Sequence, residues 1–264
     1  MTTGGVRRVV GFDGCPTGWV AVMLEDGHLA HVEVVAHLGE VLTDGRFEAA
    51  AVDIPIGLLD GDRDADRQAR QLLPGRASSV FSAPPRVVVD GWRAGTLDTH
   101  AAATAAAVSA TGKGLSQQSW RLVPKIAEAD DLVADGVRLL EVHPELAFVI
   151  AVGEPLPRKR SWAGITTRRA VLERLGCVLP DRFPGDEQAA PDDVVDAAIC
   201  AWVADGAAQG EPLVSVPATP TQHDHDQAIA IHARRGPRVV PGPRRQPPRG
   251  AGPVGPGPVP GPAG

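Results

Sequence analysis

The chain has 264 residues, 43% of them hydrophobic, with 26 Lys and Arg against 32 Asp and Glu and a formal charge of −6. That content supports one large core or two small ones, and the negative balance gives no overall attraction to nucleic acid, so a nucleic-acid partner would have to meet a local basic face. Cys15, Cys177 and Cys200 form no CxxC pair, the N-terminus lacks the apolar run of a signal peptide, and no stretch of about 18 apolar residues occurs. A disulfide framework, a cysteine zinc knuckle and a membrane-spanning helix are thereby excluded, and a cytoplasmic location is expected.

Val6–Phe12 and Trp19–Leu24 are short apolar runs that read as strands, and Glu25-Asp26-Gly27 is a hairpin turn leading into a third strand at Leu29–Val35. His37–Leu42 reads as a short helix, and Phe47–Ile54 as a buried strand stopped by Pro55 and Gly57. Residues of about 61–135 read as a helical block, with helices at Arg63–Leu73, Ala94–Ala110 and Ser116–Val133. Val137–Val142 returns to strand and ends at His143-Pro144. Thr166–Leu175 is a helix ending at Gly176, and Pro191–Ala204 is another, with Pro191 suited to a first turn. The order implies a mixed α/β sheet, an antiparallel three-strand meander continued by parallel strands, with ligands expected outside the carboxyl ends of the strands. Residues 236–264 hold 18 Gly and Pro in 29 positions, too little apolar surface to offset the entropy of ordering. The folded domain is therefore expected to span 1–233, with a disordered tail over 234–264.

Carboxylates fall where the predicted strands end. Asp13 closes Val9-Val10-Gly11-Phe12, Asp53 closes Ala49-Ala50-Ala51-Val52, and Glu141 closes Val137-Arg138-Leu139-Leu140. Asp193 and Asp196 lie three apart on one face of a helix whose other residues are mostly apolar. A strand-end Asp also serves as a turn residue, and Asp192 and Asp193 also suit the positive end of a helix. Those explanations fit Asp53 and Asp196 least. Asp53 sits in an apolar run, where a carboxylate needs a cation or strong donors. Two carboxylates about 4 Å apart repel by roughly 4 kcal/mol at an effective dielectric of about 20. If the set converges, a cation or a raised pKa must relieve it. Oxygen ligands without a His or Cys cluster suit Mg²⁺ or Mn²⁺ rather than Zn²⁺, and such ions promote phosphodiester cleavage.

These residues also carry a family likeness. Gly11-Phe12-Asp13-Gly14-Cys15-Pro16-Thr17-Gly18-Trp19-Val20 and Asp53-Ile54-Pro55-Ile56-Gly57 resemble a bacterial and archaeal domain of unknown function, a family of predicted nucleases of RNase H-like fold. Ser78-Ser79-Val80-Phe81-Ser82-Ala83-Pro84, Gly114-Leu115-Ser116-Gln117-Gln118, Pro124-Lys125-Ile126-Ala127-Glu128, Glu141-Val142-His143-Pro144-Glu145 and Asp193-Val194-Val195-Asp196-Ala197 extend the likeness in order over about residues 6–205. The last of these is similar to the final acidic motif of Holliday-junction resolvases. The resemblance implies a metal-dependent nuclease acting on DNA or RNA, with Asp13, Asp53, Asp193 and Asp196 as metal ligands; Glu141 has no clean counterpart in it and is kept as a candidate catalytic acid, either a further ligand or simply part of the Glu-Val-His-Pro-Glu signature. It also implies that the 61–135 block is an insertion into the core. Two other readings remain open at this point: a phosphotransferase or ATPase of related fold, since Asp13-Gly14 and Thr17-Gly18 resemble a phosphate loop, and a non-enzymatic binding module.

Nine basic residues lie within 61–125 (Arg63, Arg67, Arg70, Arg76, Arg86, Arg93, Lys113, Arg121, Lys125) against five acids, enough to track phosphates or simply to be solvated helix faces. Arg158-Lys159-Arg160 with Arg168-Arg169 is a second basic cluster. His143 reads either as a proton shuttle or as a hydrogen-bonded residue at a strand end. His223-Asp224-His225-Asp226 has the look of a metal cluster, set against its place just before the tail.

Overall fold

A computed structural model describes residues 5–237. Strands β1 (Arg8–Cys15), β2 (Gly18–Glu25) and β3 (His28–Val35) form the antiparallel meander. Asp26 and Gly27 take left-handed φ values of 49° and 81°, the geometry an Asp-Gly hairpin favours. Helix α1 (Gly39–Leu42) leads to β4 (Ala49–Val52), which runs parallel to β1. Then come helices α2 (Asp64–Leu72), α3 (Arg86–Arg93), α4 (His100–Thr111) and α5 (Gln117–Ala134). Strand β5 (Leu139–Glu141) pairs parallel with β4. Helices α6 (Pro144–Val152), α7 (Trp162–Arg174) and α8 (Pro191–Ala208) follow. The described chain closes with β6 (Val214–Val216), the hairpin pair β7 (His223–Asp224) and β8 (Gln227–Ala228), and β9 (Ile231–Ala233). The main sheet has the order β3-β2-β1-β4-β5-β9-β6. It is an open, mixed α/β sheet in which a meander continues into parallel strands and a helical block is inserted between β4 and β5.

Three stretches of the chain depart from the sequence expectation. The alanine-rich helix begins at His100 rather than Ala94, where the Thr99 side chain accepts the Ala102 N–H, and residues 86–93 form the separate helix α3. A turn through Gly95, with φ of 70°, divides them. Helix α6 was hidden because Pro144-Glu145-Leu146-Ala147-Phe148-Val149-Ile150-Ala151-Val152 is apolar almost all round and so lacks a helical period. Strands β6 to β9 have two or three residues each, too few for alternation to show. The tail expected over 234–264 lies, from residue 238 onward, outside the described residues.

Strand alternation sorts the core into two layers. Val10, Phe12, Ala50 and Val52 face the inserted helices, meeting Val88, Val89, Ala103, Val123 and Ile126. Val9 and Ala51 face the other layer, with Phe148, Leu172 and Ile199 from α6, α7 and α8. Helix α8 lies directly on β1 at Gly11, where an added Cβ would fall 2.0 Å from the Ala201 nitrogen and 2.3 Å from the Ala197 oxygen. Among the described residues no helix is long and apolar enough to cross a membrane. Cys15, Cys177 and Cys200 are free and buried.

Candidate functional site

Strand register explains which acids meet. In the parallel pair, Phe12 lies beside Val52, so Asp13 and Asp53 come next to each other; the ladder continues through the Asp53 N–H to the Phe12 carbonyl at 3.0 Å. Positions 9, 11 and 13 of β1, 49 and 51 of β4 and 53 just after it share one sheet face, the one covered by α8. From α8 Asp196 points at the same place, one residue before the Ala197 that presses on Gly11. Carboxylate oxygens of Asp13, Asp53 and Asp196 all lie within 4.8 Å of one another.

Glu141 pairs in register with Val52, not with Asp53, and therefore belongs to the opposite sheet face. There it accepts the Ile56 N–H at 2.7 Å and an ion pair from the buried Arg63. Asp193 stands close to the cluster, but its carboxylate turns back to accept the Ala190 N–H at 3.0 Å, closing the first turn of α8. The structure thus brings together three of the five acids singled out above, keeps Asp193 at the start of the same helix as Asp196, and sends Glu141 to the opposite sheet face.

The cation in this cluster is Lys159, from the loop between α6 and α7. Its Nζ lies 2.5 Å from Asp196 Oδ2 and 3.8 Å from Asp192 Oδ2. Sequence reasoning had placed it in a basic cluster with its neighbours; no sequence signal paired it with an aspartate 37 positions away. Burial raises the carboxyl pKa of Asp13 well above its usual range, and the charges of Asp53 and Asp196 raise it further. Asp53 and Asp196 are each pushed up to about 7, first by burial, with Lys159 pulling the other way. Lys159, flanked by these acids, holds its proton more tightly than an ordinary lysine.

Asp13 Oδ1 accepts the Gly14 N–H at 2.8 Å. Asp196 is 1% exposed, and its Oδ1 is buried without any hydrogen-bond partner. A bare carboxylate oxygen in that position is costly unless a cation meets it. With three converging carboxylates and no His or Cys donor, the residues fit a hard, oxygen-seeking divalent ion such as Mg²⁺ or Mn²⁺. Asp13, Asp53 and Asp196 would hold it.

The remaining candidates have settled partners. His143 caps α6: its Nδ1 accepts the Leu146 N–H at 3.3 Å, and its Nε2 lies 3.2 Å from the Ser79 carbonyl, an arrangement that suits the neutral ring, whose pKa burial lowers. His225 and Asp226 form the tight turn of the β7–β8 hairpin, both at left-handed φ. Asp224 and His225 join Asp130 in a second group of metal-ligand type, but Arg86 pairs with both acids and Arg93 with Asp130, so cations of the chain already fill it. Lys125 reaches the Gly18 carbonyl and lies over the Trp19 ring at 4.4 Å, next to Gly14.

No curated protein and no solved structure matches the chain. One family model does, over residues 11–222, a span that contains all three clustered aspartates, Lys159 and most of both core layers. The chain therefore belongs to the protein family of unknown function DUF429.

Proposed function

We propose that this protein is a divalent-cation-dependent nuclease of RNase H-like fold, hydrolysing phosphodiester bonds of nucleic acid. The observation that carries the proposal is the convergence of Asp13, Asp53 and Asp196, together with the buried Asp196 Oδ1 that has no hydrogen-bond partner. Support comes also from where the acids arise: the first strand, the end of the strand beside it and a late helix, in a sheet that begins β3-β2-β1-β4-β5. Mg²⁺ or Mn²⁺, when bound, would draw charge from a phosphoryl oxygen and make water a better nucleophile. Asp13 and Asp53 orient that chemistry from strand ends. Lys159 holds Asp196 in place and neutralises it, so the site can form before an ion arrives. The Asp193 carboxylate fixes the start of α8 and with it the direction of Asp196.

Calorimetric titration of Mn²⁺ into the full chain tests this reading, alongside cleavage of a labelled oligonucleotide. Asp53→Asn and Asp196→Asn should each weaken Mn²⁺ by at least about 100-fold, the upper end of what losing a mere outer-shell partner costs, and abolish cleavage. Unchanged Mn²⁺ affinity in both variants would sink the assignment.

A further inference from the structure

We infer that a basic basin beside the acid cluster seats a backbone phosphate of the nucleic-acid strand being cut; the inference rests on the nuclease reading above. The basin lies between α2 and the loops at 79–85 and 112–116, with a volume of about 210 Å³. Arg63 forms its floor. This side chain is 3% exposed and gives Nη2 to Glu141 and to the Ile56 carbonyl, while Nε and Nη1 make no hydrogen bond. An Asp66 carboxylate oxygen lies 3.4 Å from Nη1 as an ionic partner. Glu141 and Asp66 hold the guanidinium in place under the basin, where its charge adds to the positive floor.

Arg67, Arg70 and Lys113 line the same basin with Arg63, against the acids Asp62 and Asp66, so the charged lining is net positive. Arg70 is fixed at the rim by bonds from Nε to the Val80 carbonyl at 2.9 Å and from Nη2 to Ser82 Oγ at 2.8 Å. Lys113 and Arg67 pair with the exposed acids Asp62 and Asp64, and both can turn to a ligand at little cost.

The basin opens into a second cavity of about 440 Å³, which shares Arg70, Ser82 and Lys113 with it and adds Ser78, Phe81 and Gln118. The N-terminus of the 18-residue α5 faces this space, where Ser116 Oγ caps the Ser119 N–H at 3.0 Å. The positive helix end adds to the attraction for an anion. Val80 and Phe81 form a wall common to this cavity and to the cleft that holds Asp53 and His143. A strand whose scissile phosphate lies at the aspartates is thus led along Phe81 to a neighbouring seat built from guanidinium, ammonium and hydroxyl donors. That donor set suits a phosphate, which arginine grips in bidentate fashion. The wall shared with the cleft that Asp53 lines favours a phosphate within a strand over a free anion.

The test is binding of a fluorescein-labelled single-stranded oligonucleotide to the full chain in EDTA, by anisotropy, across a salt series. The double variant Arg67→Met/Lys113→Met removes two exposed charges without touching the buried Arg63, and Arg67→Lys/Lys113→Arg is its charge-preserving control. We expect the first to weaken binding about tenfold and to lower the salt slope by about 1–2, and the control to behave as wild type. Equal affinity and slope in wild type and the methionine variant would overturn the inference. So would inorganic phosphate that raises the melting temperature of wild type but not of the variant while the oligonucleotide fails to bind. Binding through the basin without any Mn²⁺-dependent cleavage would instead overturn the nuclease reading and leave the phosphate seat standing.

Discussion

Replacing Lys159 by methionine would remove the charge that holds the aspartates together while keeping a stem of similar length. In metal-free protein above pH 8 the buried Asp196 would then face Asp13 and Asp53 without its paired cation. At the observed 2.5 Å the lost attraction is about 7 kcal/mol for an effective dielectric of about 20. Lys159 is one-third exposed, so water recovers part of that. Removing one partner of a buried pair costs about 3–5 kcal/mol, and the lower end, about 3 kcal/mol, is expected here. In a domain of this size that lowers the melting temperature by about 6–12 °C. Excess Mn²⁺ should restore about 2.7 kcal/mol at a concentration 100-fold above its Kd. Near pH 5 the deficit should shrink, because Asp53 and Asp196, with pKa values pushed up to about 7, carry protons there. Thermal melts at pH 5 and 8.5, each in EDTA and in Mn²⁺, measure all of this. A variant that melts within about 2 °C of wild type in EDTA at pH 8.5, or that loses equally at both pH values, would refute the reasoning.

The aspartates also set a pH dependence for the intact protein. A carboxyl whose folded pKa lies near 7, above its unfolded value near 4, binds more protons folded than unfolded between those limits. Its contribution to stability therefore falls as pH rises from about 4 to 7 and is level above. Burial lowers the pKa of His143 and opposes this trend, so the comparison is wild type against Asp196→Asn: without metal, the variant should gain stability relative to wild type as pH climbs through that window, and urea titrations at pH 5 and pH 8 that show no relative gain would contradict it. Gly11→Ala tests the packing beneath the site. An added methyl would meet α8 backbone at 2.0 Å, so destabilisation of at least about 1–3 kcal/mol and weaker Mn²⁺ binding are expected from denaturant melts and calorimetry, and a neutral result would show that α8 is not seated as described.

The meander, β4, β5 and the site-bearing helix were legible because each is long enough, or sharply enough bounded by turn residues, for its pattern to show. Asp53 and Asp196 stood out as acids in apolar surroundings, and both converge. What stayed hidden was register. Glu141 ends a strand just as Asp53 does, yet its pairing with Val52 sends it to the other face, and a one-residue offset of this kind leaves no mark on composition. Asp193 shows the same ambiguity within a helix: a spacing of three puts it near Asp196, while its place in the first turn supplies a competing bond to Ala190. Lys159 and the orphaned nitrogens of Arg63 are products of tertiary packing and could be found only in three dimensions.

Helix α8 delivers Asp196 from within a run in which Val195, Ala197, Ala198 and Ile199 are all buried, and it rests by backbone contact on β1, the strand that supplies Asp13. Two of the three clustered acids therefore belong to a single cooperative unit of the core. Such a site has no route to partial opening: fraying of the strand–helix contact would dismantle the ligand set together with the fold. With the proposed ion bound, its affinity and global stability would become one linked quantity, so small losses of packing far along α8, at Ala201 or beyond, would register as weakened ion binding although none of the three aspartates had been touched.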